Sequence, residues 1–181
     1  MSRATLALLC GCSLMGCILT RNPTYESPEN TPAVVLEDPD FRMGTFHRVN
    51  LSGDSPADGG VEMQLEVRAI VRDPDLEQPL VGLVFQDYDL DASENRTITN
   101  DIAIPPSARD TRDVRFFIDY SELRRGCRVI ELHVSEAFVN TRNPTPRRSG
   151  DLGRGFWFVR VFENADDEIS LEECVTPGRT P

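Results

Sequence analysis

The feature that most constrains the fold of this chain is a set of segments in which apolar residues occupy every second position. Successive side chains of a β-strand point to opposite faces of a sheet, so this period predicts strands with one buried face. The two clearest segments are Val61, Met63, Leu65, Val67, Ala69 and Val71, and then Val114, Phe116, Ile118 and Tyr120. No long segment has the apolar period of a helix, and the sequence therefore predicts an all-β fold.

Further short apolar runs complete the predicted set of strands. They cover residues 80–85, 98–104, 130–134 and 157–161, and turn-forming sequences such as Asp73-Pro74-Asp75 separate them. About seven strands without intervening helices favour an antiparallel sandwich over a parallel sheet, since parallel neighbours need long crossover connections. At 181 residues, of which 39% are hydrophobic, the chain is large enough for one core.

The segment around Cys127 resembles part of a known kind of domain. Leu123, the turn glycine Gly126 and the alternating residues of 130–134 resemble the E–F corner and F strand of bacterial immunoglobulin-like and fibronectin-III-like domains. Residues 156–161 resemble their closing G strand, although antibody domains carry their tryptophan on the third strand and not on the last. The resemblance implies an antiparallel immunoglobulin-like β-sandwich that acts as a surface binding or spacer module, with no catalytic residues.

The amino terminus resembles a bacterial lipoprotein signal. Arg3 precedes an apolar run that ends in the lipobox Leu14-Met15-Gly16-Cys17. The resemblance implies cleavage before Cys17, whose sulfur would carry diacylglycerol and whose new amine would be acylated. One acyl chain holds a protein only reversibly, so stable anchoring takes more than one. The implied location is the cell envelope, at the outer membrane of a Gram-negative bacterium, and the lipid bilayer is one partner.

Other interpretations of the amino terminus fit less well. Leu9-Cys10-Gly11-Cys12 also matches a lipobox but leaves only residues 4–9 as the apolar region, and an ordinary secretory site prefers small residues where Leu14 and Met15 stand. A membrane-spanning helix needs about 20 apolar residues, which is more than this run supplies.

The predicted domain organisation follows from these signals and from the Pro- and Asn-rich composition after residue 20. It consists of a signal peptide at 1–16, a lipidated cysteine with a flexible tether at 17–43, the β domain at 44–174 and a disordered tail at 175–181. Within the tether, residues 34–36 are alternatively an edge strand.

Charge and cysteine content narrow the function classes. The net charge of −11 argues against nucleic-acid binding and against charge-driven docking on anionic lipid. Three of the five cysteines lie within the first 17 residues, so Cys127 and Cys174 are the pair left for a disulfide in an oxidising compartment. A metal site is the weaker alternative, because neither cysteine has a CxxC or histidine partner at ligand spacing. Since Cys127 opens a predicted strand, we expect residues 164–173 to wrap around that end of the domain.

Asp87, Asp89 and Asp91 form the sharpest local motif, with carboxylates at alternate positions. Such oxygens suit calcium, and Asp73 and Asp75 are possible neighbouring ligands. An EF-hand loop would also need glycine at Ala92 and glutamate at Ile98, so a solvated acidic turn is the alternative. No other cofactor is predicted.

Four arginines in a long loop form the second candidate site. Arg142, Arg147, Arg148 and Arg154 lie within residues 140–154, a loop longer than a hairpin needs. One hypothesis is that they recognise a carboxylated sugar or the acidic patch of a partner protein. The other is that they neutralise Asp73, Asp75 and Glu77, which the sandwich places at the same end.

Little in the chain suggests catalysis. The two histidines, His47 and His133, lie in separate segments, and alternation predicts that His133 faces outward. Hydrolase, metalloprotease, P-loop and dinucleotide patterns are absent from the sequence. We therefore expect a non-enzymatic, lipid-anchored module that binds or scaffolds an unknown envelope protein or glycan. The alternatives are an accessory or assembly subunit of an envelope complex and a calcium-dependent adhesion module.

Overall fold

Strands dominate the described part of the chain, which in this computed structural model comprises residues 31–51, 64–88, 96–99, 101–163 and 174. The prediction of a β protein is confirmed. In chain order the strands are β1 (Val34–Glu37), β2 (Phe46–Asn50), β3 (Gln64–Arg72), β4 (Leu80–Gln86), β5 (Ile102–Ile104), β6 (Thr111–Asp119), β7 (Gly126–Ser135), β8 (Phe138–Asn140), β9 (Thr145–Pro146) and β10 (Gly153–Phe162). A 3-10 turn, Tyr120–Glu122, links β6 to β7.

Two sheets form the body of the fold. One has the order β1-β3-β6 and the other the order β2-β10-β7-β4-β5, while β8 and β9 form a separate hairpin. The expectation of a purely antiparallel arrangement is wrong at one place, because β2 runs parallel to β10 with Phe46 opposite Phe158. The reason is topological: after β1 pairs with β3 in the first sheet, the chain crosses to the second and enters beside β10 in the same direction.

The two sheets pack face to face around one core. The alternating residues of β3 and β6 supply one side of it, and β7 and β10 supply most of the other. Trp157 on β10 is completely buried, and its indole N–H donates a hydrogen bond to the carbonyl oxygen of Phe41 at 3.2 Å. Full burial of a large apolar side chain stabilises a fold by about 1.5–3 kcal/mol. The alternating apolar residues that are buried here therefore make a large contribution to the stability of the fold.

Residues 34–36 belong to an edge strand. This is the alternative interpretation of the sequence, which otherwise assigned them to the tether. β1 pairs antiparallel with β3, and Val35 is buried in the common core, so the folded region begins before residue 44. Two glycines of β10 allow this close approach. A Cβ on Gly155 would lie 2.5 Å from Cγ1 of Val35, and one on Gly153 would overlap the carbonyl oxygen of Ala33.

The predicted disulfide is confirmed. Cys127 near the start of β7 is bonded to Cys174, with 5.0 Å between their Cα atoms. The two cysteines pack with Phe162, the last residue of β10. The expected wrapping of residues 164–173 lies outside the described residues.

The residues that carry the lipoprotein prediction also lie outside the described part. The lipobox and Cys17 are part of residues 1–30, none of which is described. The predicted disordered tail at 175–181 is not described either. In the part that is described, no helix combines the length and apolar character needed to cross a membrane.

Candidate binding surface

One half of the outer face of the five-stranded sheet is covered by the chain itself. Leu83, Phe85 and His133 point away from the main core yet are buried, since the ring of Tyr88 packs against both Phe85 and His133. The prediction that His133 lies on the surface is therefore wrong. Alternation assigned the correct face of the strand, but this face is not solvated. His133 bonds through Nε2 to Glu131, 3.1 Å away.

The β8–β9 hairpin is held over this covered half. The Tyr88 hydroxyl donates to Oδ1 of Asn143 at 3.0 Å. At the base of the hairpin, the buried carboxylate of Asp151 accepts hydrogen bonds from the Ser135 hydroxyl at 3.0 Å and from the Glu136 backbone N–H at 3.1 Å. The loop at 140–154 is thus a structured layer on the sheet.

The other half of the outer face is open. Because Trp157 and Val159 point into the core, the alternate residues of β10 point outward. The parallel register brings the outward residues of β2 beside them. We call the following set the aromatic–arginine face: Phe46, Arg48, Arg154, Phe156, Phe158 and Arg160.

Its rings and guanidinium groups are in mutual contact. The ring centroids of Phe46 and Phe158 are 5.4 Å apart, and those of Phe158 and Phe156 are 5.8 Å apart. The guanidinium carbon of Arg160 lies 5.8 Å from the centroid of Phe46. Phe46 is 41% exposed and Phe156 is 49% exposed. Water therefore contacts the rings of Phe46 and Phe156 at the two ends of this cluster.

The charge of this face is opposite to that of the whole chain. Arg48 lies over the ring of Phe162 at 4.6 Å, and within the described residues neither Arg48 nor Arg154 takes part in an ion pair. Among the outward residues of β2, β7 and β10, Glu131 is the one acid, and its carboxylate is already bonded to His133. The face is therefore positive on a chain with a net charge of −11.

The four arginines singled out from the sequence lie on different elements. Arg142 is in the turn of the β8–β9 hairpin, where its backbone N–H donates to Asn140. The Arg147 backbone N–H donates to the Ala137 carbonyl, and the Arg148 guanidinium lies 3.3 Å from Glu136. Arg154 begins the aromatic–arginine face on β10. The structure thus joins Arg154 to the aromatic residues and places the other three on the hairpin.

Asp73, one of the acids proposed to neutralise these arginines, is paired with a different cation. The carboxylate of Asp73 lies 3.3 Å from the guanidinium of Arg112, a residue of β6, and both side chains are almost completely buried. Arg112 also donates to the carbonyl oxygens of Gln78 and Asp75, both at 2.8 Å. Burial raises the pKa of Asp73, while the hydrogen bond from the Asp75 backbone and the charge of Arg112 act in the lowering direction.

Of the predicted calcium ligands, Asp87 is described, whereas Asp89 and Asp91 are not. The Asp87 backbone has a φ of 52°, and its carboxylate accepts hydrogen bonds from the Val129 N–H at 2.9 Å and from Arg128 at 3.1 Å. These bonds connect the end of β4 to β7. The Asp73 carboxylate is bonded to Arg112 and to the Asp75 backbone N–H, and Asp75 contributes its backbone carbonyl oxygen to Arg112. Within the described ranges, no three histidine, cysteine or acidic side chains are grouped to hold a metal ion.

Sequence reasoning missed most of the aromatic–arginine face, although a signal for it exists. Phe156 and Phe158 flank the inward-pointing Trp157, so this strand is apolar on both faces. Apolar residues at two successive outward positions of a strand indicate either a covered face or an interaction surface. No protein-family model matches the chain, and no curated protein is significantly similar to it in sequence. What can be said of the kind of protein therefore comes from the structure: it is a β domain whose described part carries an exposed aromatic and basic face.

Proposed function

We propose that this chain is a lipid-anchored, non-catalytic binding or scaffolding module of the bacterial cell envelope. The observation that carries the proposal is the aromatic–arginine face. Interaction surfaces are enriched in aromatic residues and arginine, and contiguous exposed apolar patches on monomers are commonly functional. An accessory subunit of an envelope complex is the form of this function that such a face supports best, because it offers an area for docking against another protein.

The strand order supports an immunoglobulin-like sandwich as the scaffold. Such domains place their first, second and fifth main strands in one sheet and the third, sixth and seventh in the other. The order β1-β3-β6 facing β10-β7-β4 agrees with that arrangement if β1 and β2 together represent the first strand. These domains commonly serve as binding modules on cell surfaces, which is consistent with the proposed role.

The lipid anchor at Cys17 supplies the location. It would hold the domain at the outer membrane, while the residues between Cys17 and β1 would keep it clear of the lipid headgroups. The disulfide Cys127–Cys174 supports an exported protein, since such bonds persist in oxidising compartments such as the periplasm.

The test of this function compares exposed phenylalanines on the two opposite sheets. The full-length chain carrying Phe46→Ser and Phe156→Ser is compared with Phe117→Ser, since Phe117 is 54% exposed on β6. Both variants are expressed in the source bacterium and recovered from membranes after chemical crosslinking. We expect a discrete protein adduct of the native chain to disappear in the first variant and to persist in the second. Loss in both or in neither would reject the face as the site of binding.

A further inference from the structure

We infer that the aromatic–arginine face binds an acidic surface of a different protein, one that presents carboxylates around exposed apolar side chains. This inference rests on the proposed binding function and adds the chemistry of the partner to it. The argument depends on where the charges, the rings and the polar groups of the face lie.

Charge complementarity identifies an acidic partner. Arg48 and Arg154 are exposed on the flanks of the ring cluster, and Arg160 lies over the ring of Phe46. The chain as a whole carries a charge of −11, so an acidic protein is repelled by its net charge and attracted locally at this face. Such an arrangement orients the encounter as well as adding contacts.

The exposed rings indicate a partner that supplies apolar contact. Phe46 and Phe156 can each insert between side chains of a facing protein, and aromatic anchors beside arginine are typical of the residues that dominate binding energy. Arg48 lies over the ring of Phe162 and is held in place there, so it loses less side-chain entropy when it meets a carboxylate.

A glycan fits this face less well. Recognition of sugar hydroxyls needs hydrogen-bonding side chains close to the ring on which the sugar stacks. Between Arg154 and Arg160, however, the outward residues of β10 are Phe156 and Phe158, which lie opposite Glu131 and Val129 of β7, and the Glu131 carboxylate is already bonded to His133. The charged groups would bind a carboxylate, but the hydroxyl groups of the sugar would find few partners here.

A lipid surface or a second copy also fits less well. The rings lie on the outer face of a sheet, on its edge strand β2 and the neighbouring strand β10, and not on a protruding loop that could enter a membrane. Two copies related by a twofold axis would present the same face to each other. Each copy would then bring a positively charged face against the other, which is unfavourable.

The experiment uses photo-crosslinking from defined positions of the full-length chain in native membranes. The photoreactive residue p-benzoylphenylalanine replaces Phe156 in the test and Phe117 in the control, and mass spectrometry identifies what is attached. We expect position 156 to yield an adduct with another protein through an acidic peptide, and position 117 not to yield it. Adding Arg48→Glu and Arg154→Glu should lower the yield by at least about tenfold, because like charges then face each other.

The outcomes separate this inference from the proposed function. Attachment of lipid, glycan or a second copy at position 156, or a protein adduct that is insensitive to charge reversal, overturns the acidic partner. An absent adduct at 156 with a protein adduct from Arg147 as an additional position overturns the face but keeps a binding function. Absence of adducts from all three positions rejects both. Circular dichroism and thermal melting of the reversal variant verify that it remains folded.

Discussion

Arg112 and Asp73 form an ion pair in which the guanidinium nitrogen and the carboxylate oxygen are 3.3 Å apart and the side chains are only 4% and 3% exposed. The pair joins β6 to the turn after β3, and the other hydrogen bonds of Arg112 hold the carbonyl groups of that turn. A buried pair of this kind is sensitive to loss of one partner, because the other charge then remains unpaired inside the protein.

Replacing Arg112 by methionine should lower the free energy of unfolding by about 3–5 kcal/mol at neutral pH. The pKa of Asp73 is already raised by burial, and loss of the cation raises it further. A folded-state pKa above the unfolded value means that the folded state holds the proton more tightly, so stability falls as pH rises from the ordinary carboxyl range. Urea unfolding should therefore show a larger deficit at pH 7 than at pH 4. An equal deficit at both values would contradict this account.

Replacing Gly153 by alanine should destabilise the fold by about 1–3 kcal/mol, as overpacking does elsewhere. The added Cβ meets a backbone oxygen of Ala33, which cannot rotate away. Arg154→Ala, one position further along β10 and pointing outward, is the matched control and should change stability little. Hydrogen exchange should show the loss of protection concentrated in β1. Uniform loss across both sheets would argue against a local effect.

Mass spectrometry of the unreduced mature domain should find Cys127 and Cys174 linked. Replacing either by alanine should lower stability by about 2–5 kcal/mol, since the bond restricts the unfolded chain. Chemical denaturation with and without a reducing agent measures this. If reduction of the native protein left the unfolding midpoint unchanged, the bond would have no stabilising role.

Replacing Arg147 and Arg148 by alanine should change the free energy of unfolding by less than about 1 kcal/mol. Within the described residues, the ion pair that is lost is Arg148 with Glu136, which joins a 57% exposed side chain to a 28% exposed one, and pairs of this kind contribute little. Recovery of the crosslinked partner should stay the same, because the aromatic–arginine face is intact. A loss of recovery without a change in melting temperature would move the binding surface to the hairpin.

The Cys17→Ser variant should lose both palmitate labelling and signal cleavage, and its partition into detergent should fall accordingly. Metabolic labelling and immunoblotting of the full-length chain measure these changes. Cys12→Ser is the matched control and should label normally. Labelling that persists in Cys17→Ser and disappears in Cys12→Ser would move the anchor to the earlier lipobox.

The strands with strict alternation could be predicted from the sequence. In β3 and β6 every second residue is buried, and all of these residues except Arg112 are apolar, so period and fold agree. β2 could not be found in this way, since Val49 is its one buried residue and its partner in the sheet lies more than a hundred positions along the chain. Such a strand is defined by its pairing, which the local pattern does not encode.

The candidate site was less predictable than the fold. Alternation assigned His133 to the outer face but carried no information about the Tyr88 ring that covers it. Phe156 and Phe158 were visible as apolar residues, yet only the parallel alignment of β2 brings Phe46 and Arg48 beside them. Charge counts could not separate the arginines of the hairpin from the one that belongs to the face.

The parallel alignment of β2 with β10 also determines how the domain responds to mechanical load. For a chain held at its amino-terminal side and pulled at Phe162, the force acts on the two strands in opposite directions along their length. The hydrogen bonds between them are then stretched together, whereas an antiparallel pair pulled from one end opens bond by bond. Survival under force depends on the rate of this rupture. A chain anchored at one end and loaded at the other would thus carry the tension through β2 and β10, the two strands at one edge of the five-stranded sheet.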